Sequence, residues 1–127
     1  MTRTAITATD APAPIGPYSH AIAIDGLLFC SGQTGLDPAT GLLVEGGVAA
    51  QAERCLTSLV SVLEAAGLTF ADVLKVNIFL TDMANFAAVN EVYARFVTDP
   101  PPARSTVAVA GLPKGGLVEI EAIAVRP

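Results

Sequence analysis

Between Val48 and Ala66, apolar residues recur at three- and four-residue intervals: Val48, Ala52, Cys55, Leu56, Leu59, Leu63 and Ala66. That period lays one stripe along a helix, and Gly67 supplies a C-terminal stop. Strand-like runs flank it, Leu27 to Ser31 before and Val73 to Leu80 after. A helix joining strands restricts the fold sharply, because such crossovers are right-handed and lay the helix on one face of a sheet.

The remaining punctuation completes the order. Thr2 to Ile6 is a short edge strand, followed by the proline-rich loop Asp10 to Pro17. Tyr18 to Ile24 and Leu27 to Ser31 flank Asp25-Gly26, a favoured tight-hairpin pair. Gly32 to Gly47 reads as a glycine-rich loop. Asp82 or Asn85 caps a second helix carrying the stripe Phe86, Val89, Tyr93 and Phe96, which Pro100 to Pro102 end. Two strands close the chain, Arg104 to Ala110 and Val118 to Val125. The expectation is a single α+β domain over residues 1–127, ordered β-β-β-α-β-α-β-β, with a mixed sheet and both helices on one face.

Such a sheet leaves its second face bare. Only 15% of the 127 residues are charged and 52% are apolar, against about 25% charged in ordinary soluble domains. Too few charges remain to wet that face, so another copy of the chain is its expected cover. The net charge of −5, with seven scattered basic residues, argues against nucleic acid, since no basic stripe exists to neutralise phosphates. No apolar run is long enough to span a membrane and the first residues lack a signal-peptide core, so a cytoplasmic protein is expected. One histidine and two well-separated cysteines, Cys30 and Cys55, offer no metal-ligand spacing, and both thiols read as small buried hydrophobes.

Candidate chemistry centres on Arg104. A guanidinium opening a small, apolar strand needs an anionic partner, and its planar fork of donors matches a carboxylate. The bland alternative is an arginine facing water or paired with Glu119 or Glu121. In Val118 to Val125 strict alternation puts both glutamates on one face, shared with Ile123 and Val125. A carboxylate in that half-apolar setting suits the task of positioning or deprotonating a water. Ser31-Gly32 ends an apolar strand where backbone approaches ligands closely, and Tyr18 offers a phenol at the rim. A Ser–His hydrolase is not supported, as no nucleophile elbow surrounds Ser31 and His20 reads as structural. If the last two strands formed a plain hairpin, Arg104 and Glu119 would lie roughly 17 Å apart. Either those strands are not neighbours, or the two residues meet across an interface.

Taken in order, Ala13-Pro14-Ile15-Gly16-Pro17-Tyr18-Ser19, Ser31-Gly32-Gln33, Val89-Asn90 with Tyr93, Pro102-Ala103-Arg104-Ser105 and the ending Val118 to Ala124 resemble the Rid (YjgF) family of reactive intermediate deaminases. The resemblance spans essentially the whole chain. It implies a chorismate-mutase-like fold, a homotrimer with ligand clefts between subunits, and cofactor-free, metal-free hydrolysis of 2-imino acids to 2-oxo acids and ammonia. Arg104 would then clamp the substrate carboxylate, Glu119 would hold the attacking water, and Tyr18, Ser31, Gly32, Asn90 and Thr106 would line the pocket. His20 stands where the family often has Gln, which implies an altered rim contact, and Thr106 stands where its deaminases often have Cys. Two alternatives stay open: a non-catalytic carboxylate-binding trimer, and a deaminase of another substrate such as an aminomuconate.

Overall fold

The computed structural model describes residues 2–126. Strands β1 (Thr4–Ile6), β2 (Ala21–Ile24) and β3 (Leu27–Thr34) precede helix α1 (Gly47–Ala65). Strand β4 (Val73–Leu80), helix α2 (Phe86–Ala94) and strands β5 (Ala103–Ala108) and β6 (Val118–Val125) follow. The six strands form one mixed sheet in the order β1-β2-β3-β6-β4-β5, in which only β4 and β5 run parallel.

The β2–β3 hairpin turns on Asp25 and Gly26, both with positive φ (46° and 77°). Glycine makes the second of these left-handed positions free of cost, and the turn's twist matches that of the strands it joins. Helix α1 buries Ala52, Cys55, Leu56, Leu59, Val62 and Leu63 against Leu28, Val76, Ile78, Leu80, Val118 and Ile120 on one sheet face. Each such leucine or isoleucine is worth about 1.5–3 kcal/mol of transfer free energy, so this layer fixes the sheet's inner face. Both cysteines are free and buried; burial pushes the Cys30 thiol up to about 12 and the Cys55 thiol higher still. They serve as packing groups, not nucleophiles.

Strand β4 lies between β5 and β6, so the first of the two alternatives left by the sequence holds: the last two strands are not neighbours, and the turn at 111–117 is a crossover. One feature differs from the sequence reading. Strand β3 continues past Ser31 to Thr34, because a bulge at Ser31–Gly32 sets two residues opposite Glu121 between the pairs Cys30–Ala122 and Gln33–Ile120. The outer face is apolar where the sequence expected it to be. Phe29, Val107 and Val125 are 43%, 47% and 38% exposed.

Candidate functional site

Glu119 sits on the outer face, on β6, beside the β3 bulge. A methyl group on Gly32 would stand 2.8 Å from Glu119 Cδ, 2.9 Å from Cγ and 3.0 Å from Oε2. Gly32 does not have a positive φ, so glycine is needed there for space and not for backbone freedom. The bulge thus lets the carboxyl lie directly across the β3 backbone. Burial, and secondarily the charge of Glu121, hold the Glu119 carboxyl above the usual carboxylate range. Glu121 itself accepts a hydrogen bond of 3.0 Å from Asn77 Nδ2.

Tyr18 and Ser31 border the same place. The Tyr18 hydroxyl accepts from the Ile15 amide (3.2 Å), and Ser31 Oγ donates to the Ser19 carbonyl (2.6 Å), tying β3 to the incoming loop. An open depression of about 350 Å³ is lined by Ile15, Tyr18, Ser31, Gly32, Pro113, Glu119 and Glu121. A cavity of about 30 Å³ that shares Tyr18, Gly32 and Glu119 with it also reaches His20. That is room for about one water.

His20 is a correction. It is 3% exposed, not a rim residue. Its Nδ1 accepts from the Ala8 amide (3.0 Å), so Nε2 carries the proton and donates to the Pro12 carbonyl (2.8 Å). The imidazole therefore pins the loop that carries Tyr18, and β2 begins only at Ala21.

Arg104 is elsewhere. On edge strand β5 it pairs with Val76, whose side chain faces the helices, whereas Glu119 pairs with Phe79 on the outer side. Two strand spacings and three residues separate their backbones, roughly 14 Å, with side chains on opposite faces. The guanidinium Cζ stands 5.0 Å from the Tyr93 ring centroid and 5.7 Å from that of Phe86, both on α2. Asn90 is half-buried on the same helical stripe, four residues after Phe86 and three before Tyr93. Thr106 follows Arg104 on the same side of β5, and the Thr106 and Tyr93 hydroxyls are both buried without a hydrogen-bond partner. Burial raises the Tyr93 phenol, and the Arg104 charge partly offsets that. Among the described residues Arg104 has no ion pair; the pairing with Glu119 or Glu121 does not occur.

The candidate residues thus fall into two groups. Tyr18, Ser31, Gly32 and Glu119 meet at one face; Asn90, Arg104 and Thr106 gather at the other. Sequence reasoning treated Phe86 and Tyr93 as core, although an aromatic pair seven residues apart, two helical turns, was the available sign of a platform.

The family described as Endoribonuclease L-PSP matches residues 8–126. The chain belongs to that family, the Rid (YjgF) family of the sequence resemblance. It is 54% identical over 127 residues to Protein DfrA of Myxococcus xanthus, covering 98% of this chain and 97% of that protein. It is 48% identical over 126 residues to the 2-iminobutanoate/2-iminopropanoate deaminase of Capra hircus, covering 99% and 92%. The crystal structure of RidA from the Antarctic bacterium Psychrobacter sp. PAMC 21119 is 45% identical, with a TM-score of 0.92 over 96% of this chain and 98% of that one. Its Rid relatives therefore include named imine deaminases, and the α+β sheet with its two helices is the fold of solved Rid structures.

Proposed function

We propose that this protein hydrolyses 2-imino acids such as 2-iminobutanoate and 2-iminopropanoate, with their enamine tautomers, to 2-oxo acids and ammonia, in clefts between subunits of a homotrimer. The observation that carries this reading is the division of the candidate groups between opposite sheet faces. A fork of donors with no anion on it among the described residues suits a substrate carboxylate. A carboxyl of raised proton affinity beside a water-sized cavity suits the delivery of water. Neither group reaches the other within one chain, so a second copy must supply the missing half, and the bare apolar outer face provides the surface for it.

In this reading Arg104 takes the carboxylate bidentately and orients the C=N carbon. Tyr18, Ser31 and Gly32 wall the cleft from one subunit, Asn90 and Thr106 from the other. Glu119 accepts a proton as water adds to the iminium carbon and returns it to the amino nitrogen of the carbinolamine. It then takes the hydroxyl proton as the C–N bond breaks, the carbonyl forms and ammonia leaves; that proton passes to the departing ammonia. A protonated imine is already electrophilic, so positioning and proton transfer suffice without a cofactor. The relatives named as deaminases support this substrate class. The word endoribonuclease in the family description finds less support. The lone histidine has both ring nitrogens engaged by backbone, and the seven basic residues form no stripe for phosphates.

The test generates 2-iminobutanoate with threonine dehydratase, or 2-iminopropanoate with an amino-acid oxidase, and times oxo-acid release with and without the protein. Acceleration is expected, with Arg104→Lys losing most of it because a point charge cannot reproduce the fork. Wild-type rates in that variant would remove Arg104 from the site. Unchanged release with the wild-type protein, together with tight 2-oxo acid binding, would leave the carboxylate-binding alternative.

A further inference from the structure

We infer that Phe86 and Tyr93 are positioning residues, whose rings set the orientation of the Arg104 guanidinium while leaving its donors free for a ligand carboxylate. The inference rests on reading Arg104 as the carboxylate receptor. Arginine has a long side chain with many rotamers to lose, and Arg104 stands on an edge strand between the exposed Ala103 and Ser105. No ion pair restrains it among the described residues. What touches it is aromatic. The two ring centroids, at 5.0 and 5.7 Å, lie within the ~6 Å reach of a cation–π contact.

The choice of rings over a carboxylate has a chemical consequence. A glutamate holding Arg104 would occupy the in-plane N–H fork and compete with the substrate for it. A ring attracts the guanidinium by its face, and the in-plane donors stay unclaimed. The two rings also differ in rigidity. Tyr93 is 6% exposed and packs edge-on against Phe70, with centroids 6.2 Å apart and planes at 77°, so its position is fixed by the core. Phe86 is 36% exposed, at the first turn of α2, where a ring is replaceable without disturbing the core.

The experiment measures the affinity of the assembled protein for 2-oxobutanoate by calorimetry, together with KM and kcat in the imine assay. Phe86→Leu, which keeps apolar bulk but no ring, is expected to weaken binding about 3- to 10-fold, the range of a partly exposed cation–π contact. The loss falls on KM more than on kcat, with little change in melting temperature. Phe86→Trp restores affinity, a rescue that a merely structural contact would not show. Tyr93→Phe, which keeps the ring and removes an unpartnered hydroxyl, retains affinity and does not lower stability. Wild-type affinity in Phe86→Leu would overturn the inference, as would a Tyr93→Phe variant as weak as Arg104→Ala. Undiminished affinity in Arg104→Ala is a different failure, since it removes the carboxylate receptor itself whatever the ring variants do.

Discussion

Substituting Gly32 by alanine tests whether the approach of Glu119 to the β3 bulge matters for catalysis and not only for folding. The added methyl would meet Glu119 Cδ at 2.8 Å and Cγ at 2.9 Å, about 0.7 Å inside the ~3.5 Å at which carbon atoms reach contact. Gly32 does not have a positive φ, so alanine meets no backbone penalty. All the strain falls on the carboxyl arm, which is only half-buried and yields more easily than the strand. The expected stability cost is that of mild overpacking, about 1–3 kcal/mol, and the fold persists. A displacement approaching 1 Å at a proton-transfer group costs on the order of 10²-fold in rate. The assay is timed oxo-acid release at saturating imine, paired with urea unfolding of the same preparations. A Gly32→Ala protein that turns over at the wild-type rate would refute the reasoning, and so would one whose activity falls only as far as its folded fraction.

Four further outcomes follow from the same geometry. Glu119→Gln keeps shape but accepts no proton, so turnover falls about 10²-fold or more while a 2-oxo acid still binds in calorimetry; equal losses would mark a structural carboxyl. Because the folded chain raises the Glu119 carboxyl above its ordinary 4.5, its contribution to stability is fully present below that value and is lost as pH rises through the higher folded value. The Gln variant therefore gains stability over wild type above that window and loses the gain in acid, which melting curves across pH will report. His20→Ala strands the Ala8 amide and the Pro12 carbonyl at a cost of about 2–4 kcal/mol, whereas His20→Gln retains an acceptor and a donor and stays within about 1 kcal/mol of wild type by urea unfolding. Mixing Arg104→Ala with Glu119→Gln chains rebuilds intact clefts in roughly a quarter of sites in randomly reassembled rings, and no recovered activity after refolding the mixture contradicts the shared cleft.

Much of the architecture was legible because single periods dominate its elements. The stripe from Val48 to Ala66 has one reading, and α1 spans Gly47–Ala65. The alternation of Val118 to Val125 gave β6 its bounds and placed Glu119 and Glu121 together on the outer face. What escaped depends on nonlocal pairing. That the last two strands are not neighbours stood only as one of two alternatives, because the glycine-rich turn before Val118 carries the local signs of a hairpin and no residue in it encodes the entry of β4 between its arms. The bulge at Ser31–Gly32 is likewise set by what β6 places opposite, so β3 appeared to stop at Ser31. Arg104 stood out as a lone charge, but its face could not be chosen until β5 was registered on β4. The residues alone read His20 as structural, and it is; the rim contact implied by the resemblance does not occur, because its partners, Ala8 and Pro12, lie in a loop without periodicity.

The placement of Arg104 and Glu119 on opposite faces also bears on how such a protein diversifies. If each cleft joins the inner edge of one chain to the outer face of its neighbour, then no single polypeptide holds a whole site. After a duplication, two diverging chains that still assemble together would form clefts of mixed parentage, with the carboxylate fork inherited from one copy and the water-handling carboxyl from the other. Selection on either half would then act through a different polypeptide from the one that completes the chemistry, and new substrate ranges would arise by recombining subunits before any pocket had been remade.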